Sequence, residues 1–246
     1  MNRTAEESLA IESLRQRFNA IRIDTDVSDM FDFGADLLEL QSPEALDFHY
    51  ALLRDTGMDG ELYDWLCRKF SDRGDAGEDH LHARFAQEQD ASLQATVLQM
   101  LGTFKYRKGR RLKDTAALAR AALGSPHDDL RCKGLWVIGW LGTTADIAKV
   151  APLLAKDPVP ANRHWAASAL MQIFFNHRSA APRALACLRE ALEAETDAVV
   201  LGGILVAVQE IAGKKFGLAS NSHEAPSAEK LEAALAKARR MFARAA

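Results

Sequence analysis

Glu78, Asp79, His80 and His82 crowd four potential ligand side chains into one short stretch of the chain. On a helix, positions i and i+2 point to different faces, and no third histidine lies nearby in sequence. No metal centre is therefore expected there. Cys67, Cys132 and Cys187 are an odd, scattered three with no CxxC spacing and no neighbouring His–Asn pattern. They read as reduced thiols of a cytoplasmic protein, not as nucleophiles or a disulfide framework. His164 beside Trp165, and His177 after Phe174 and Phe175, read as helix-surface or helix-end residues. Gly202-Gly203 lacks the Lys-Ser/Thr that a phosphate-binding loop requires. No catalytic residue and no cofactor is expected, and the chain reads as non-enzymatic.

Two other groups are suited to binding. Cys132, Trp136 and Trp140 recur at i, i+4 and i+8, so they share one helix face, opposite the seam of Leu130, Gly134, Val137 and Leu141. Large aromatic anchors dominate interface energetics, which makes Trp136 and Trp140 candidate partner contacts; packing beneath a neighbouring helix is the competing expectation. The second group is basic: Lys105, Arg107, Lys108, Arg110, Arg111 and Lys113 place six cations in nine residues. Such a run suits an anionic partner or a solvated loop neutralised by the chain's own acids.

Charge is distributed unevenly along the 246 residues, although the net value is only −3. Residues 24–79 hold 16 Asp and Glu against four Lys and Arg, a balance of −12, whereas residues 80–246 stand at +8. Asp24, Asp26, Asp29, Asp32 and Asp36 open the acidic segment and are candidate contacts for a basic partner. That acidity disfavours nucleic acid, which a polyanionic segment repels. Hydrophobic residues make up 48% of the chain, enough for a sizeable core, yet no apolar run approaches the roughly 20 residues of a membrane span. The first 18 residues lack the continuous apolar stretch of a signal peptide.

The elements that must position these groups read as helices throughout. Period-2 alternation and hairpin dipeptides are missing, while helical patterns recur near 4–20, 28–40, 43–56, 60–72, 78–89, 91–104, 114–123, 128–142, 144–156, 161–176, 180–194, 198–213 and 226–244. Ser42 before Pro43, Thr143 or Thr144 before Asp146, and Ser227 before Glu229 supply starts. In the first 89 residues Phe31, Phe33, Leu37, Leu52, Trp65 and Phe70, among others, promise a folded core.

The segment from Asp129 to Gly142, an apolar residue followed by Arg131, small Gly134 and a Leu-Gly ending, resembles the inner helix of a HEAT repeat, with the phycobilin-lyase-type bacterial HEAT-like proteins the nearest pattern. Segments 90–104, 157–174 and 197–212 follow the same frame. Anchored on its Arg column, the register runs Gln94, Arg131, Arg163, Leu201, with Asn162 an oddity in an apolar column. In that register Gln99, Trp136, Ser168 and Val206 form one row across adjacent helices, and Thr103, Trp140, Gln172 and Glu210 another. Gln99 and Gln172 therefore join the tryptophans as expected partner contacts.

The resemblance implies an all-α fold, an α-α superhelix (solenoid) of stacked HEAT-like helical hairpins. Residues 1–89 are expected to form irregular acidic hairpins capping the N-terminal end of one continuous solenoid. Residues 90–246 are expected to carry the repeats and a C-terminal capping helix with Lys237, Arg239, Arg240 and Arg244 outward. It also implies a protein-binding scaffold, and the size and charge suit an inhibitor of the immunity-protein kind, neutralising a bacterial toxin domain with a basic surface. The alternative is a DNA-binding relative, similar to HEAT-like alkylpurine DNA glycosylases, which use tryptophan and aspartate on the concave face.

Overall fold

The computed structural model of the protein describes residues 3–23, 27–57, 60–219 and 226–245; Asp24 and Asp26 lie outside them. The described residues form α1 (Arg3–Ile23), α2 (Val27–Glu39), α3 (Pro43–Asp55), α4 (Gly60–Phe70), α5 (Gly74–Gln87), α6 (Ala91–Thr103), α7 (Leu112–Ala122), α8 (Asp128–Leu141), α9 (Ile147–Lys156), α10 (Pro160–Asn176), α11 (Ala181–Ala194), α12 (Ala198–Ala212) and α13 (Ala228–Ala245), joined in places by single 3₁₀ turns. No strand occurs among them, and no helix is long and apolar enough to cross a membrane. Two compact units result, residues 1–111 and 112–246.

The predicted starts are realised by capping. Ser42 Oγ accepts Ala45 N–H at 3.1 Å with Pro43 in the first helical turn. Thr143 and Asp146 form a reciprocal capping box ahead of α9. α5 begins at Gly74, four residues before the periodic pattern does, because a left-handed glycine (φ 60°) lets the chain turn directly out of the preceding 3₁₀ turn.

In the first unit, Phe18, Phe33, Leu37, Leu52, Leu53, Leu66 and Phe70 are fully buried. Phe33 packs 6.5 Å from the Trp65 ring, and Gly34 leaves the room that this indole fills: a Cβ there would overlap it. Phe31, expected in the core, is instead 61% exposed on α2. It is one residue out of phase with Met30 and Phe33, which take the buried face.

A polar knot ties this unit together. Arg73 is buried, and its guanidinium donates to Leu40 O at 2.6 Å, to Leu37 O at 2.9 Å and, through Nε, to His49 Nδ1 at 2.8 Å. It thus satisfies carbonyls at the C-terminal end of α2, where a cation is favourable. His49 Nε2 lies 3.1 Å from Leu66 O, so that nitrogen carries the proton and the ring is neutral. Phe70 stacks on the His49 ring with centroids 4.2 Å apart. Burial, reinforced by the nearby Arg73 charge, holds the His49 pKa well below the usual histidine value.

The second unit is two-layered. α8, α10 and α12 pack side by side in one layer; α7, α9 and α11 lie in the other, and α13 packs on α12. Glycines set the close approaches: a Cβ at Gly134 would press on Ala122 Cβ at 3.1 Å, and one at Gly139 on Ala169 Cα at 3.3 Å.

Bidentate ion pairs lock successive turns. Arg131 reaches Asp157 at 2.7 and 3.1 Å, Arg163 reaches Glu195 at 2.7 and 3.0 Å, and Arg120 reaches Asp146 at 2.6 and 3.0 Å. Asn162 is no misfit, because its amide donates to Asp128 O at 3.2 Å beside this pair. Burial alone would raise the Asp157 pKa, but the Arg131 hydrogen bonds and Val159 N–H together hold it below the usual range; Glu195 is held down first by Arg163.

Two outcomes follow. Asp157→Ala leaves the nearly buried Arg131 unpaired and is expected to cost about 3 kcal/mol, measured by urea unfolding. Because the folded His49 pKa is depressed, its contribution is complete above roughly pH 6.5 and is lost as the pH falls below that value, where only the unfolded chain takes up the proton. The urea midpoint of the wild type should therefore drop between pH 7.5 and 5.5. The slope should flatten in His49→Gln/His80→Gln, since burial also lowers the His80 pKa.

Candidate functional site

α8, α10, α12, the segment after α12 and the first turn of α13 enclose a cavity of about 430 Å³ in the second unit. That volume falls in the range of ligand-sized clefts. Its core is aromatic: Trp136 and Trp165 meet edge-on at 4.7 Å and 61°, with Trp140 6.3 Å from Trp136. All three indoles are half-buried. Lys133 Nζ sits 3.9 Å from the Trp136 ring centroid, a cation–π contact that fixes one face of this ring. Asn176 Nδ2 donates to Gly139 O and Trp140 O, each at 3.1 Å, holding the end of α8 that carries Trp140.

The far wall depends on two glycines in the middle of α12. A Cβ on Gly202 would meet Pro226 Cδ at 3.0 Å, and one on Gly203 would overlap the His164 ring. His164 Nδ1 lies 3.3 Å from Val199 O and donates to it. Polar groups in the wall are few. Trp136 Nε1–H is buried and finds no acceptor among the described residues. Ser168, Gln172 and Lys230 also line the cavity, and among the described residues no Asp or Glu does.

Both register rows drawn from the sequence meet here: Trp136, Ser168 and Val206 from one, Trp140 and Gln172 from the other. Cys132 is absent from the lining, and burial pushes its thiol up to about 11, which removes it as a nucleophile at neutral pH. Gln99 is half-buried on α6, in the first unit. The parts that the periodicity concealed are His164, Trp165, Gly202, Gly203, Pro226 and Lys230. Paired glycines inside a helix, each costing about 1 kcal/mol in propensity, were the available signal for a close approach.

The basic run meets the chain's own acids. Arg107 pairs with Asp72 at 2.5 Å, Arg110 with Asp79 and Asp75, and Arg111 with Asp79 at 3.3 Å. The buried Glu78 carboxylate accepts the backbone N–H groups of Arg110 and Arg111 at 2.9 and 3.1 Å, and Gly109 leaves room for it. Burial lowers the pKa of half-buried Lys105. Lys108, at φ 57°, and Lys113 are exposed. Among the acids, Asp29 and Asp32 are exposed on α2, and Asp36 pairs with Arg17.

Residues 78–171 match the family model of HEAT repeats. That stretch carries HEAT-like repeats. No curated protein and no solved structure matches the sequence. HEAT repeats build helical scaffolds for protein interaction, and the tryptophan cavity opens among three consecutive helices of one layer of that scaffold. Gly203→Ala should drive His164 off Val199 O, lowering stability by about 1–3 kcal/mol in urea unfolding and changing the fluorescence of the neighbouring Trp165.

Proposed function

We propose that this HEAT-like protein is a non-catalytic scaffold that binds another protein through the tryptophan cavity of its second unit. The observation that carries the reading is the placement of three half-exposed indoles from α8 and α10 in one concavity. Tryptophans that become desolvated within a ring of contacts excluding water are among the residues that dominate protein association. Nothing in the repeat's own packing requires two tryptophans on this face of α8, because its seam is already filled by Leu130, Val137 and Ile138.

Within that class an inhibitor of the immunity-protein kind is the reading we favour, acting in the cytoplasm against a toxin domain with a basic surface. Asp29 and Asp32 on α2 supply its support, as acids exposed to a partner. The basic run supports an anionic partner less well than its composition implied, since Arg107, Arg110 and Arg111 already face Asp72, Asp75 and Asp79. The same pairing weakens the DNA-glycosylase-like alternative, as does a cavity wall in which no described Asp or Glu stands beside the tryptophans.

The test is affinity capture of partners from the native host with wild type, Trp140→Ala and Asp29→Lys/Asp32→Lys, each shown folded by circular dichroism. A protein retained by wild type and lost from Trp140→Ala supports the scaffold; loss also from the charge-reversed variant supports a basic partner. A partner retained equally by wild type and both variants would sink the reading. Steep, salt-dependent duplex DNA binding would favour the alternative instead.

A further inference from the structure

The contact between His49 and Arg73 exists in one protonation state only. Arg73 Nε–H donates to His49 Nδ1 at 2.8 Å, and a guanidinium has no lone pair with which to accept in return. The opposite ring nitrogen, Nε2, lies 3.1 Å from Leu66 O and carries the one proton of the neutral ring. A second proton would sit on Nδ1, facing an N–H of a cation. Both side chains are buried, so neither can turn to water while the contact stays closed.

The surroundings oppose that proton. Arg73, from the 3₁₀ turn after α4, and His80, from α5, are the titratable groups that face His49, and each repels a charged ring. Leu66 O favours the charged ring but is outweighed by burial. His80 is placed differently. Its Nε2 lies 3.7 Å from the Asp47 carboxylate, which also holds Arg84, so a proton there meets an acid without moving α2.

What Arg73 holds is the end of α2. The same guanidinium donates to Leu40 O at 2.6 Å and to Leu37 O at 2.9 Å, carbonyls left open where that helix stops. Without Arg73 the last turn of α2 and its connection to α3 lose this clamp. α1 keeps separate ties to the end of α3, through the Arg15–Asp55 pair and Arg22 to Asp55 O at 2.7 Å.

We propose that the Arg73–His49 contact is an acid-sensitive latch, in which a proton on His49 expels Arg73 and releases the C-terminal end of α2 while the second unit stays packed. The inference stands apart from the tryptophan cavity and from the protein-binding reading. α2 carries the exposed Asp29, Phe31 and Asp32, so the latch governs how firmly that surface is held. It is closed above about pH 6.5, where an unperturbed histidine is neutral, and opens as the pH falls below that value. Because the open form alone takes up the proton, one histidine makes opening about tenfold more frequent at pH 5.5 than at pH 7.5.

The test is hydrogen–deuterium exchange of the full chain, read by mass spectrometry and corrected for the pH dependence of chemical exchange. Protection of residues 37–42 should fall about tenfold between pH 7.5 and 5.5, with that of α8 unchanged. The fall should persist in His80→Gln. It should vanish in His49→Gln, whose side-chain amide can accept from Arg73 and donate to Leu66 O. No fall in wild type, an equal fall in α8, or a fall kept in His49→Gln overturns the inference. Should His49→Gln not fold, the wild-type profile decides: onset near pH 6.5 with uptake of one proton supports the latch, whereas onset only below pH 5 belongs to carboxylates and overturns it.

Discussion

A carboxylate that closes one helix and clasps an arginine from another is the interaction on which the repeats depend. It occurs in three related settings. Glu88 follows α5, accepts Gln89 and Asp90 N–H at 3.0 Å each and takes Arg54 of α3 at 2.8 and 2.9 Å. Asp157 follows α9, accepts Val159 N–H at 3.0 Å and takes Arg131 of α8. Glu195 follows α11, accepts Thr196 and Asp197 N–H at 3.0 and 2.9 Å and takes Arg163 of α10. Each carboxylate fixes the turn ahead of the next helix and the distance to an earlier one at the same time. That coupling makes a turn part of the stack instead of a loose connection. Arg54 is more exposed than Arg131 or Arg163, so the clasp is expected to be worth least in the first unit.

The Arg column was legible because its period survives in sequence, and so were the rows that meet in the cavity. Its interruptions were legible too, but not their remedies. At Gln94 the amide turns back to Phe85 O at 3.0 Å. Beyond Leu201 the stack is closed by Gln209, which accepts Phe216 N–H at 2.9 Å and donates to Leu218 O at 3.0 Å, while Lys237 caps Phe216 O at 2.9 Å. The knot of Arg73 and His49 left no trace in the pattern. Its partners lie 24 to 36 residues apart along helices that do not repeat one another. Periodicity reports which face of a helix is buried; it is blind to a single guanidinium crossing between helices of different register.

Charge is legible in composition but not in its pairing. The basic run was read as suited to an anionic partner or to neutralisation by the chain's own acids, and Arg107, Arg110 and Arg111 meet Asp72, Asp75 and Asp79. A cluster of like charges is costly to hold together, and placing the basic run against Asp72, Asp75 and Asp79 relieves both clusters at once. Most of these pairs are exposed, so their weight is in positioning the loop; the buried anchor is Glu78, whose carboxylate holds two backbone N–H groups. On α2, by contrast, Asp29 and Asp32 stay exposed on either side of the exposed Phe31.

The cavity owes its existence to how small residues are distributed along one layer. Gly139, Gly202 and Gly203 let α8, α10 and the segment at Pro226 approach closely, which would normally eliminate a void. Trp136, Trp140 and Trp165 act against that closure. Their rings are too large to interdigitate within such short spacings, so they stand together at the rim of the packed seam and leave space between them and α12. A stack selected for packing alone would relieve the conflict by shrinking one indole or by giving Trp136 Nε1–H an acceptor. Retaining both the large rings and a donor without an acceptor among the described residues costs stability on each count. That conflict is confined to the cavity, and the seam beside it is packed without one.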